Sequence, residues 1–177
     1  MITRRLLLGA CMLATTQGAS AQQRETLREA LPETWKTYLN DRFGTSIEYP
    51  SRFEPGRPPD NNDGQSFSAA DGGELLVWGS LNALQLDLKG LEAFVRENPP
   101  AGQRITYRAA GPNWFVLSGR RGDRIFYARY ILSHRNEVQN AVEISYPARL
   151  AATYDPIAAR ISKSLKPGKG YDTTGAP

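Results

Sequence analysis

Alternating apolar and polar positions divide the chain into short extended runs, two helical stripes and one long irregular stretch. Trp35, Thr37 and Leu39 alternate with Lys36 and Tyr38, and Asn40 to Gly44 supply turn residues. Ile47 and Tyr49 then alternate with Ser46 and Glu48 up to Pro50, and the whole pattern predicts a hairpin. From Pro50 to Gly73 the chain is rich in Pro, Gly, Asn and Asp, so it reads as a long loop with one extended piece near Ser66 to Ser68. Glu74 to Gly79 carries Leu75, Leu76, Val77 and Trp78 in one block, the pattern of a central strand that is apolar on both faces. Leu84, Leu88, Leu91 and Val95 recur at helical spacing, with Asp87 as the cap and Pro99-Pro100 as the stop.

Three extended segments follow: Ile105, Tyr107 and Ala109 alternating with Arg104, Thr106 and Arg108; then Trp114 to Ser118; then Arg124 to Ser133. Turns at Gly111-Pro112-Asn113 and Gly119 to Asp123 join them as a meander. Val138 to Tyr146 predicts a half-buried strand with Val138, Val142, Ile144 and Tyr146 inward. Asp155 as cap and Pro156 at the first helical position predict a closing helix striped by Ile157, Ile161 and Leu165. Helices too few to alternate with strands indicate an α+β domain, an antiparallel sheet of six to seven strands covered by helices. The domain is expected over residues 35–166, after an arm at 22–34 that carries a marginal helical stripe. Residues 167–177 are expected to be a disordered tail.

The first 21 residues read as an address. Arg4 and Arg5 precede an apolar stretch from Leu6 to Ala14, and Ala19-Ser20-Ala21 offers small residues for cleavage. The stretch is shorter than the ~20 residues a membrane span needs, and no other run is longer, so an exported, soluble, periplasmic or secreted chain beginning near Gln22 is expected. Thr3-Arg4-Arg5-Leu6-Leu7-Leu8 also resembles a twin-arginine signal, and Leu8-Gly9-Ala10-Cys11 loosely resembles a lipoprotein cleavage box; the export route stays open. Cys11 is the only cysteine, so cleavage after Ala21 leaves no thiol for disulfides, nucleophilic catalysis or metal ligation. The resulting chain of about 156 residues is long enough to be held by packing alone.

Without the leader, 20 Lys and Arg stand against 18 Asp and Glu, a net charge of +2. The charge is unevenly spread: between Arg104 and Arg135 there are seven arginines and one acid, Asp123. Arg104 and Arg108 are expected to share a strand face, with Arg120, Arg121 and Arg124 around one turn, Arg129 further along, and Tyr107, Tyr127 and Tyr130 as aromatic planes nearby. Guanidinium groups bind carboxylates and phosphates in a bidentate manner, which makes this meander the candidate contact surface for an anionic or protein partner. A solvated sheet face with arginine stems lying over apolar surface is the plainer alternative.

The loop supplies a second candidate contact, Asp60, Asn62, Asp63 and Asp71. With Asn61 and Glu74 these residues are oxygen donors that could suit calcium, but the EF-hand spacing fails because Gln65 takes the glycine position, so no metal is assigned. His134 is the only histidine, and with no Gly-x-Ser-x-Gly elbow it reads as a solvated turn residue. No catalytic residue and no cofactor is therefore expected. An enzyme would have to use paired carboxylates, for which Glu48, Glu74 and Glu143 are the strand acids. Nucleic acid is not expected as a partner, since no RNP or helix-turn-helix pattern occurs and the net charge is small.

Phe43-Gly44-Thr45-Ser46-Ile47-Glu48-Tyr49-Pro50 resembles the glycine, extended residues, tyrosine-proline opening of PsbP-like domains. Ile161-Ser162-Lys163-Ser164-Leu165 is similar to their closing helix. The resemblance spans Trp35 to Lys166 and implies an α/β/α sandwich. Relatives of this kind include the extrinsic photosystem II subunit, a nuclear-import factor that binds a small GTPase, and LpqN-type bacterial lipoproteins. The resemblance thus implies a noncatalytic binding or assembly role, and carries over no binding residue.

Overall fold

The computed structural model describes residues 33–171. The expected leader, nearly all of the arm and the last six residues of the expected tail lie outside the described residues. β1 (Trp35–Leu39) and β2 (Ser46–Pro50) form the hairpin, with Leu39 opposite Ser46. The other seven strands form one antiparallel sheet in the order β3-β4-β5-β9-β8-β7-β6. They are β3 (Glu54–Pro55), β4 (Gly64–Ser68), β5 (Glu74–Leu81), β6 (Gln103–Ala110), β7 (Trp114–Arg121), β8 (Arg124–Ser133) and β9 (Val138–Pro147).

Each face of the sheet has its own cover. α1 (Leu88–Glu97) lays Leu91 and Val95 on Phe115, Leu117, Phe126, Ala128 and Tyr130. α2 (Ala151–Ser164) and the hairpin pack on the opposite face, where Tyr154, Ile157, Ile161, Ile47 and Tyr49 meet Phe67, Val77, Val142, Ile144 and Tyr146. This is the α+β sandwich expected from the sequence. The Asp87 carboxylate accepts from the Gly90 N–H at 2.7 Å and starts α1 as expected. Leu84, expected on its stripe, precedes the cap and is 61% exposed.

Further local expectations change in the folded chain. The Pro50 to Gly73 loop contains β3 and β4, paired through Glu54–Ser68 and Pro55–Phe67. β5 runs on to Leu81 and is not apolar-buried on both faces: Leu75 and Val77 are buried, whereas Leu76 on the other face is 46% exposed, because α1 does not reach it. β9 is more than half buried; it lies at the centre of the sheet, and Ala141 and Ser145 on its second face are buried along with Val142 and Ile144.

α2 begins at Ala151, after a 3-10 turn at Ala148–Leu150, so Pro156 lies inside the helix and Asp155 is not its cap. Proline there removes one intrahelical hydrogen bond. The freed carbonyl belongs to Ala152, which is exposed to water. The earlier start seats Tyr154, which is fully buried and stacked on Tyr146 with ring centroids 4.9 Å apart. The Tyr154 hydroxyl donates to Asp71 at 2.5 Å and that of Tyr146 to Asp155 at 2.7 Å.

Past α2 the chain stays attached to the body. Lys166 and Ser46 exchange backbone hydrogen bonds of 2.9 and 3.0 Å, and the Tyr171 hydroxyl donates to Glu137 at 2.5 Å. Gly168 crosses Gly44 so closely that a Cβ on Gly44, whose φ is +66°, would lie 2.5 Å from the Gly168 Cα. The expected tail is therefore docked through Tyr171.

Two measurements follow from the tyrosine packing. Tyr154→Phe should lose about 1–3 kcal/mol of stability, and Tyr154→Ala about 3–5 kcal/mol, in urea unfolding; equal losses would place the energy elsewhere than in the ring. Burial holds the phenols of Tyr130, Tyr146 and Tyr154 above the ordinary tyrosine range, aided by Glu143, Asp155 and Asp71 respectively. The native state thus keeps protons that the unfolded chain releases above about pH 10, so this stability is intact below that pH and is lost as pH rises beyond it. Tyrosinate absorbance for these residues should appear together with loss of far-UV signal, and not as a gradual titration of a folded chain.

Candidate functional site

The seven arginines from Arg104 to Arg135 do not form one surface. A β-bulge between Ile105 and Tyr107 shifts the pairing of β6, so that Arg104 lies opposite Arg120 whereas Arg108 lies opposite Leu117. Paired residues share a face, and successive residues of β7 alternate, so Arg104 and Arg108 point to opposite faces, not the same one. Crowding accompanies the bulge: a Cβ on Gly119 would lie 2.0 Å from the Arg104 carbonyl oxygen. Strand alternation likewise puts Arg120 on the α2 face and Arg121, with its cross-strand partner Arg124, on the α1 face.

On the α1 face every arginine of these strands has an acid. Arg108 forms an ion pair with Glu92 of α1, whose side chain is 5% exposed. Arg121 donates to Glu143 at 2.9 Å and to Gln103 at 2.6 Å. Arg124 lies 3.1 Å from Glu74 and also donates to Ser145 and to the Gly72 carbonyl. Beside these pairs is an open groove of about 370 Å³, lined by Ser66, Ser68, Leu76, Glu74, Glu143 and Ser145 among others.

Glu74 and Glu143 therefore meet in one groove, as an enzyme with paired carboxylates would require. Acid and base roles need two carboxyl groups in dissimilar surroundings. Here each is ion-paired to an arginine, Glu143 to Arg121 and Glu74 to Arg124, with the Glu143 side chain 20% exposed and that of Glu74 65% exposed. Glu48 is remote from both, bound to Arg160 at 3.1 Å in the hairpin and α2 layer.

On the α2 face the arrangement is reversed. Arg104, Arg120 and Arg129 make no ion pair among the described residues. Arg129 is half-buried, its guanidinium carbon lies 4.4 Å from the centre of the Trp114 ring, and its Nε has no hydrogen-bond partner. Burial pulls this guanidinium below the ordinary arginine range. Between Arg129 and the Arg104–Arg120 pair runs the row Tyr107–Ser118–Tyr127, in which Tyr107 is 53% exposed.

The loop acids are divided as well. Asp60, Asn62 and Asp63 lie before β4 and Asp71 after it, separated by five strand residues or about 17 Å. Asp60 pairs with Arg57 at 3.4 Å, Asn61 donates to Asp63 at 2.8 Å, and the Asn62 carbonyl accepts from Asn40 at 2.8 Å. Asp71 is taken up by Tyr154, and Glu74 by Arg124. Among the described residues no three His, Cys, Asp or Glu side chains are placed to hold a metal ion. His134, at φ +51°, is partly buried against Tyr171, with Nδ1 3.0 Å from the Ser133 hydroxyl.

Sequence reasoning passed over Glu92 and Trp114. Glu92 sits beside Leu91 on the covered side of α1, and a carboxylate flanking the apolar stripe was the available signal. Trp114 was visible only as the start of a strand; its place under Arg129 depends on the β7–β8 register.

No protein-family model matches the sequence, and no curated protein matches it. Solved structures do. The solution structure of cyanobacterial PsbP (CyanoP) from Synechocystis sp. PCC 6803 superposes with a TM-score of 0.59 at 13% identity, covering 86% of this chain and 98% of that one. The Ran-binding protein Mog1p of Saccharomyces cerevisiae superposes with a TM-score of 0.52 at 11% identity, covering 76% of this chain and 96% of that one. The sheet order, the helix on each face and the reach of both superpositions together make this protein a PsbP-like α+β fold.

Proposed function

We propose that the protein is an exported, noncatalytic binding or assembly module that contacts an anionic or protein partner. One observation carries this reading: three guanidinium groups stand on a single face of the sheet with no acidic partner among the described residues, while every arginine of the same strands on the other face is paired. A half-buried cation without a counter-charge is unfavourable, and a partner's anion would relieve it. The likeness to a PsbP protein and to a Ran-binding protein supports a binding role. The exposed loop from Arg57 to Asn62 is a second contact surface in this reading.

Export rests on Arg4, Arg5, the Leu6 to Ala14 stretch and Ala19-Ser20-Ala21. No helix of the described residues is long and apolar enough to cross a membrane. A hydrolytic role for Glu74 and Glu143 is not favoured, since both carboxylates are occupied by arginines.

Two results are expected. The protein recovered from the periplasm should begin at Gln22, as read by intact mass; a full-length product there would refute the leader. That mature protein, immobilised in periplasmic extract, should retain a partner that dissociates as salt is raised. Retention of nothing would count against a binding module.

A further inference from the structure

We propose that the outer end of the sheet, on its α2 face, holds an acidic, extended polypeptide segment, with carboxylates received by Arg129 at one end and by Arg104 and Arg120 at the other. The proposal rests on the binding-module reading and names the ligand chemistry of that surface.

Arg104 and Arg120 lie directly opposite each other on neighbouring strands, an arrangement of like charges that is unfavourable on its own. Strands β6, β7 and β8 contain no acidic residue at all. The acids of neighbouring elements do not fill the need. Asp155 of α2 accepts from Tyr146, Glu48 of β2 is held by Arg160, and among the described residues Asp123 of the β7–β8 turn forms no ion pair with Arg104, Arg120 or Arg129. Arg129 lies over the Trp114 ring and has no counter-charge among the described residues.

Spacing selects the class of ligand. Arg129 pairs with Val116, and Arg120 lies four residues further along β7, about 13 Å away. One phosphate reaches one end of this strip, not both. An extended chain places residues i and i+4 on the same side at that same interval of about 13 Å, with residue i+2 between them. The middle position falls on the Tyr107–Ser118–Tyr127 row, where two phenol rings and a hydroxyl can receive a polar or flat side chain. Guanidinium groups at both ends then form charge-assisted hydrogen bonds to carboxylates.

The test is titration of the mature protein with a fluorescently labelled synthetic peptide of alternating Glu and Thr. A Gln-for-Glu peptide, inorganic phosphate and vesicles of anionic phospholipid serve as comparisons. Saturable binding of the Glu peptide is expected, with a change in tryptophan emission and little binding of the Gln peptide. The Arg104→Ala, Arg120→Ala double variant should weaken it by about tenfold or more, as should Arg129→Gln, while Lys89→Ala, an exposed position of α1 on the opposite face, leaves it unchanged. Arg104 and Arg120 are exposed, so the double variant tests the idea even if Arg129→Gln melts early. Failure of the Glu peptide to bind, equal binding by the double variant, or equal displacement by phosphate or vesicles would each overturn the proposal. A periplasmic partner retained equally by wild type and the double variant would overturn it too, yet leave the binding-module reading standing. Retention of no partner speaks only against that reading, since the peptide titration still decides this proposal.

Discussion

Two stacked phenols, Tyr146 of β9 and Tyr154 of α2, fix where the closing helix can lie. Both are buried, and each hydroxyl is spent on an acid: Asp155 on the helix itself and Asp71 in the turn before β5. An unpartnered buried hydroxyl costs about 1–3 kcal/mol, so the stack is stable only in the one arrangement that satisfies both groups. That arrangement ties α2 to the centre of the sheet and to the β4–β5 turn at once. The hairpin fills the space on the β4 side, where Tyr38 and Tyr49 meet Phe67. Among the described residues no comparable layer covers the far side, and Arg104, Tyr107 and Arg120 stay exposed on this face.

What the open surface presents is decided by a single extra residue. Without the bulge in β6, Arg104 and Arg108 would share a face, and Glu92 on α1 would be buried without a cation. With it, Arg108 turns toward Glu92 and Arg104 turns toward Arg120. The same strand therefore stabilises the docking of α1 and adds charge to the opposite side. Burying Glu92 is tolerable because its counter-ion comes with the strand it packs on. The groove near Leu76 shows the same logic carried further, since its acids and arginines neutralise each other and leave little net field to attract a charged ligand.

Much of the fold was legible because its signals are local. The hairpin turn, the Asp87 cap, the glycine turns of the meander and the period-two runs are properties of a few adjacent residues, and each appears close to its expected place. The start of α2 was misplaced for an equally physical reason. Asp155-Pro156 is a good local beginning for a helix, but burial of Tyr154 outweighs one lost backbone hydrogen bond. β9 looked half buried because Gln139, Glu143 and Ser145 are polar; of these Ser145 is buried, where it donates to Glu74 and accepts from Arg124, while Glu143 is partly covered and accepts from Arg121.

The candidate site was less legible. Composition alone established an excess of arginine over acid between Arg104 and Arg135, and short-range pattern established that these arginines lie on strands and turns of an α+β sheet. Which arginines are ion-paired among the described residues and which are not depends on strand register, on one bulge and on what α1 and α2 carry to each face. Those are relations between residues tens of positions apart, set by how the layers pack, and only the tertiary structure decided them.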